Sequence, residues 1–211
     1  MAGTHTHPLF ARVYPRIAKT AEAHGAAEHR RTLLAGLEGR VIEIGSGHGP
    51  NFPHYPASVT HLVAVECEPH MIELARRAAD DAPIAVTVME GTAEQLPAVE
   101  GEFDAAVVSL VLCSVADQEV ALREIARVLR PGGELRFYEH VVSRRPAMAA
   151  VQRVADATVW PLLAGGCHCA RDTSRAIRNA GFEMEREERI AFKPSPVMPA
   201  IPHILGIARR A

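Results

Sequence analysis

Glycine recurs at alternate positions, Gly45, Gly47 and Gly49, directly after an apolar run, and an acid, Glu66, follows about twenty residues on. Glycines there let the backbone turn sharply and approach a ligand without Cβ obstruction. An acid at the end of the next strand can accept hydrogen bonds from ribose hydroxyls. A dinucleotide fingerprint would need glycine where this chain has Pro50, and Pro50, Pro53 and Pro56 leave little room for a helix whose N-terminus could seat a pyrophosphate. The loop therefore points to a nucleoside ligand without phosphates. His140, His168 and Tyr14 are the candidates for handling a proton or closing over the ligand. Cys167-His168-Cys169 is too tightly spaced for structural zinc, which takes four ligands and usually has at least two residues between paired ones, and no metal is expected. Cys67 and Cys113 read as small buried hydrophobes.

These residues must be held by an alternating pattern of strands and helices. Apolar positions at helical spacing from Pro8 to about Leu37, divided at Gly25, predict two helices. Strands are predicted over 40–44, 60–65, 84–89, 103–110 and 135–141, with helices from Pro69 and over 118–129, the latter stopped by Pro131-Gly132-Gly133. Strands alternating with helices, and lacking polar alternation, imply a parallel sheet covered on both faces. Beyond Arg145 come a helical stretch to about Trp160, a loop, a helix over 173–180, and strands over 182–192 and 204–209. Lys193–His203 carries four prolines and is read as a loop without regular structure.

At 211 residues, 48% hydrophobic and 23% charged, the chain has the make-up of one globular domain. Its parts are a helical cap (1–38), a ligand-binding core (39–141) and a segment of substrate-side helices with a C-terminal hairpin (142–211). A formal net charge of −2 gives no basic footprint for nucleic acid. No apolar run of about 18 residues and no leader are evident, so no membrane span is expected. Four cysteines in such a chain suggest reduced thiols and a cytoplasmic setting.

EIGSGHG at 43–49 resembles the glycine motif of class I S-adenosylmethionine-dependent methyltransferases. Glu66 followed by Pro69, GTAEQLP at 91–97 and RVLRPGG at 127–133 resemble later motifs of the same family, in the same order. NFPHYP (51–56), LVLCSV (110–115), YEHV (138–141) and WPLLAGGCH (160–168) through Arg171 look like segments of the alkyl-thiol methyltransferase-like family, whose animal members carry an N-terminal membrane anchor. The resemblance implies a Rossmann-like α/β fold: a seven-stranded, mostly parallel sheet of order 3-2-1-4-5-7-6, flanked by helices, with a helical N-terminal cap. It implies S-adenosylmethionine as cofactor and S-adenosylhomocysteine as product. Gly45, Ser46, Gly47 and Gly49 would pack against the methionine moiety, with Glu43 near its ammonium group and Asn51 a polar contact. Glu66 would bind the ribose, Thr92, Ala93 and Glu94 would border adenine, and Ser109 and Leu110 would form the floor. Thr92 stands where the family has an acid. The expected acceptor is a small molecule, best a thiol; O-, N- or C-methylation of a natural-product or quinone-like acceptor is the alternative. An NAD-dependent oxidoreductase and a non-catalytic cofactor-binding module are the readings from other classes.

Overall fold

Val41, Ile42, Glu43 and Ile44 are all buried, which a strand allows only when both faces of its sheet are covered. The computed structural model describes residues 7–196 and 198–211, so the first six residues of the expected cap lie outside the described residues. In it that segment is β1 (Gly39–Ile44), flanked by β2 (Val59–Glu66) and β4 (Phe103–Ser109), with β3 (Val86–Glu90) beyond β2 and β5 (Leu129–His140) beyond β4. These five strands pair in parallel. β7 (Ile201–Arg210) runs antiparallel between β5 and β6 (Phe182–Phe192), giving the order β3-β2-β1-β4-β5-β7-β6.

Helices cover both faces. Ile42, Ile44, Val108 and Phe137 pack with Leu122 and Ile125 of α4 (Gln118–Val128) on one side. On the other, Val41, Leu62 and Val107 pack with Leu33 and Leu34 of α2 (Ala27–Leu34) and with Ala75 of α3 (Pro69–Asp80). Local chemistry sets the helix starts: the Glu68 side chain accepts from the Met71 amide, and Asp117 accepts from Glu119 and Val120. The order reverses between β1 and β4. A crevice outside the carboxyl ends of these strands is where such sheets take ligands.

At Gly25 the structure keeps to the sequence expectation: with φ 115° that glycine breaks the helical backbone between α1 (Pro8–Ala21) and α2, within the turn Glu22–Ala26. It departs from the expectations at two places. β5 begins at Leu129 rather than 135, because Pro131-Gly132-Gly133 forms an irregularity within the ladder: Leu129 pairs with Phe103 and Glu134 with Ala105. β7 begins at Ile201, inside the stretch read as loop. Pro202 is tolerated near the strand start, where it pairs with Ala191 and its carbonyl accepts from Val141. α5 (Pro146–Asp156), α6 (Trp160–Leu163) and α7 (Thr173–Asn179) fill the segment before β6. Among the described residues no helix is long and apolar enough to cross a membrane.

Candidate active site

Gly45, Gly47 and Gly49 carry φ of 64°, 57° and 81°, a region in which glycine alone is comfortable. A Cβ on Gly45 would come within 2.6 Å of Val111, whereas one on Gly47 would meet nothing within 4 Å, so the loop turns its crest to open space. The loop and the acid form one unit. The Gly47 amide donates to Glu66 Oε2 at 2.8 Å, while Oε1 accepts from Cys67 at 2.9 Å and Glu68 at 3.0 Å. A carboxylate has about four lone-pair sites, so Glu66 keeps capacity for a hydroxyl. Ser46 Oγ and His48 Nδ1 are buried without a partner among the described residues. Each such atom costs about 1–3 kcal/mol unless something satisfies it, and the polar tail of a ligand lying on the loop would do so. Only a 3-10 turn (Phe52–His54) follows, so no long helix offers its N-terminus to a phosphate. The loop fits a nucleoside with a polar tail, as S-adenosylmethionine is.

Beneath the loop lies a buried polar chain. Glu43, 1% exposed, accepts from Asn51 Nδ2 and from the Tyr55 hydroxyl, both at 2.8 Å. Burial pushes its carboxyl up to about 7. The Asn51 carbonyl accepts from Arg30 at 2.8 Å, and Arg30 also reaches Ser109 Oγ at 3.2 Å and Glu22 at 2.7 Å. Glu43 and Asn51 brace the loop from below: their side chains bond to each other and to Tyr55 and Arg30, and Asn51 is fully buried. Arg30, 4% exposed, was not foreseen; nothing in its neighbourhood in α2 signals that it ties the cap to the core.

Across the crevice, Ala93 is buried, Thr92 bridges to Gln95, and Glu94 accepts from the Ala116 amide at 3.1 Å, so its carboxylate serves the approach to α4. Ser109 ends β4. Leu110 follows with φ 62°, a strained conformation for a residue with a side chain, and its amide donates to the Tyr138 carbonyl at 2.7 Å. Tyr14 in α1 lies edge-on to His48 at 6.0 Å, and burial pushes its phenol up, so it remains a donor at neutral pH.

The two candidate histidines part company. His140, at the end of β5, has Nδ1 3.2 Å from Cys167 Sγ and 3.9 Å from Cys113 Sγ. Hydrogen bonds from the Cys113 thiol and then from His140 favour the Cys167 thiolate and hold its pKa well down, and the Cys113 thiol is raised in turn. His203, its ring 4.3 Å from that of His140, is held neutral by burial. His168 is not in this corner: it faces Asp156, with Nδ1 3.9 Å from Oδ2. Cys113, read as an inert hydrophobe, is part of the corner. Its loop is fixed by Glu139, whose carboxylate accepts from the amides of Val111, Leu112 and Cys113.

The geometry agrees with what comparison with known proteins finds. Residues 42–137 match the methyltransferase domain family. Human thiol S-methyltransferase TMT1B is 32% identical over 182 residues, covering 83% of this chain and 73% of the relative. The ubiquinone/menaquinone biosynthesis C-methyltransferase UbiE of Syntrophotalea carbinolica is 28% identical over 172 residues, 77% of this chain and 73% of its own. Among solved structures, a SAM-dependent methyltransferase of Thermotoga maritima has a TM-score of 0.70 over 95% of this chain and 97% of its own, at 24% identity, a likeness of fold.

Proposed function

The chain belongs to the class I S-adenosylmethionine-dependent methyltransferases, and from that premise we propose that its acceptor is a small thiol, methylated on sulfur. S-adenosylmethionine, when bound, supplies a methyl group on a sulfonium whose charge already activates the leaving group. The chain's own residues then have to hold, align and exclude water, and such positioning is worth roughly 7–11 kcal/mol. Glu66 takes the ribose, the backbone of Gly45–Gly49 the amino-acid end, and Thr92, Ala93 and Glu94 the adenine side. Ser109 and Leu110 form the floor, with Tyr14 over the ligand.

The observation that carries the thiol reading is the partnership of His140. Among the described residues its side-chain hydrogen bonds run to Cys113 and Cys167, and none runs to a carboxylate. An alcohol acceptor would demand a stronger base, such as a histidine backed by an acid. A thiol, with a free pKa of about 8.5, needs only a modest lowering to react as thiolate. The thiol S-methyltransferase relative supports the same acceptor class, whereas the UbiE relative supports the C-methylation alternative. The test is a panel of small alkyl thiols beside phenols and quinols, incubated with the purified protein and S-adenosylmethionine, with products identified by mass spectrometry. Thioether formation is expected. Turnover of a quinol or phenol with none of any thiol refutes the reading.

A further inference from the structure

Cys113 follows β4, His140 closes β5 and Cys167 follows α6, yet their donor atoms all lie within 4.8 Å of one another. A tetrahedral zinc ion, with bonds of about 2.3 Å to sulfur and about 2.0 Å to nitrogen, spaces its donors about 3.8 Å apart between sulfurs and about 3.5 Å between sulfur and nitrogen. The two observed nitrogen-to-sulfur distances, 3.2 and 3.9 Å, bracket that value, and the two sulfurs lie within 4.8 Å of one another. We propose that Cys113, His140 and Cys167 form a mononuclear site for a thiophilic divalent cation, with zinc the expected occupant and the fourth corner left to an exchangeable ligand.

The donors are held by the fold rather than by one another. Glu139 fixes the Cys113 backbone through three amides, and the His168 amide donates to the Cys113 carbonyl at 2.7 Å, joining the two cysteine loops. Gln152 in α5 donates to the carbonyls of Val141 and Cys169, which flank the other two donors. Such outer contacts are what orient ligands at metal sites. Two thiolates and one imidazole, with a corner open, is the donor set of a catalytic rather than a structural zinc. Cys169 does not close the set; its thiol turns to Asp156 at 3.2 Å. The set is not one the Cys167-His168-Cys169 spacing suggests: the fold gathers Cys113 and Cys167, each 27 residues from His140 along the chain, around that histidine.

The role of the fourth corner rests on the thiol reading above. An acceptor thiol would bind there through sulfur: the bond to the exchangeable ligand breaks and that ligand leaves, a zinc–sulfur bond forms, and the S–H bond breaks with its proton passing to solvent. Methylation makes the new carbon–sulfur bond and breaks the sulfonium one. The neutral thioether, a poorer zinc ligand than a thiolate, then departs.

The experiment uses the purified chain, stripped of metal and kept reduced by a phosphine, titrated with zinc alone and with cobalt(II) as the coloured stand-in. One equivalent of zinc is expected to bind and raise Tm, and cobalt should show tetrahedral d–d bands with thiolate charge transfer. Cys113→Ser and Cys167→Ser should each weaken zinc at least about 10-fold, with circular dichroism as the check on folding, while Cys67→Ser binds as the wild type. Absence of stoichiometric binding, or wild-type affinity in both serine variants, overturns the site. Adding 2-mercaptoethanol to the cobalt protein should intensify and shift the charge-transfer band. An unchanged spectrum overturns the fourth-corner role, and leaves the thiol reading to stand or fall by the product assay.

Discussion

Glu43→Gln is expected to remove a pH dependence that the wild-type protein carries. Burial raises the Glu43 carboxyl from its ordinary 4.5 to about 7, so the folded state favours the neutral form. For an acid raised in this way, the contribution to stability is full below the unfolded value, declines as pH rises from 4.5, and is gone above about 7. A shift of about 2.5 units at about 1.4 kcal/mol per unit corresponds to roughly 3 kcal/mol lost between pH 4.5 and pH 8. Glutamine keeps the shape, still accepts from Asn51 and can donate to the Tyr55 oxygen, but does not titrate. Urea unfolding of both proteins from pH 4.5 to 8 isolates the group, because every other titration is common to the two. The wild type should lose roughly 3 kcal/mol relative to the variant over that range, and the variant should be the more stable at pH 8. Parallel stability profiles would refute the buried, neutral-leaning carboxyl.

Two further outcomes test the crevice and the cap. Gly47→Val puts a branched side chain at φ 57°, which costs roughly 1–2 kcal/mol of stability, and fills the open space above the loop. Calorimetry should show S-adenosylmethionine binding weakened far beyond that cost, and unchanged affinity would place the ligand elsewhere. Arg30→Ala leaves Glu22, Asn51 and Ser109 without their partner. Removing one member of a buried ionic network costs about 3–5 kcal/mol, read as a fall in the urea midpoint at constant m; a loss under 1 kcal/mol would mean the bridge carries no energy.

The sequence was most informative where the physics is local. Gly45, Gly47 and Gly49 with Glu66 follow from what a tight turn after a strand requires, and the fold pairs them through the Gly47 amide. The sheet order followed from the resemblance, while the buried strands were legible as apolar runs. Arg30 was not legible, because its partners Asn51 and Ser109 lie 21 and 79 residues away and a helical arginine by itself reads as solvated. Nor was the place of Asn51 in the buried chain between Arg30 and Glu43 legible, since order along the chain does not say which way an amide points. The Cys113, His140 and Cys167 corner escaped because it exists only where two strand ends and a distant loop converge.

The Arg30 bridge has a consequence for how the protein opens. One guanidinium is shared between the helical cap, through Glu22, and the core, through Asn51 and Ser109. Undocking the cap therefore withdraws support from the loop, and any ligand that steadies the loop must, by reciprocity of linked equilibria, hold the cap shut by the same free energy. The N-terminal helices and the glycine loop thus hang on one fastening, so whatever tightens the one tightens the other.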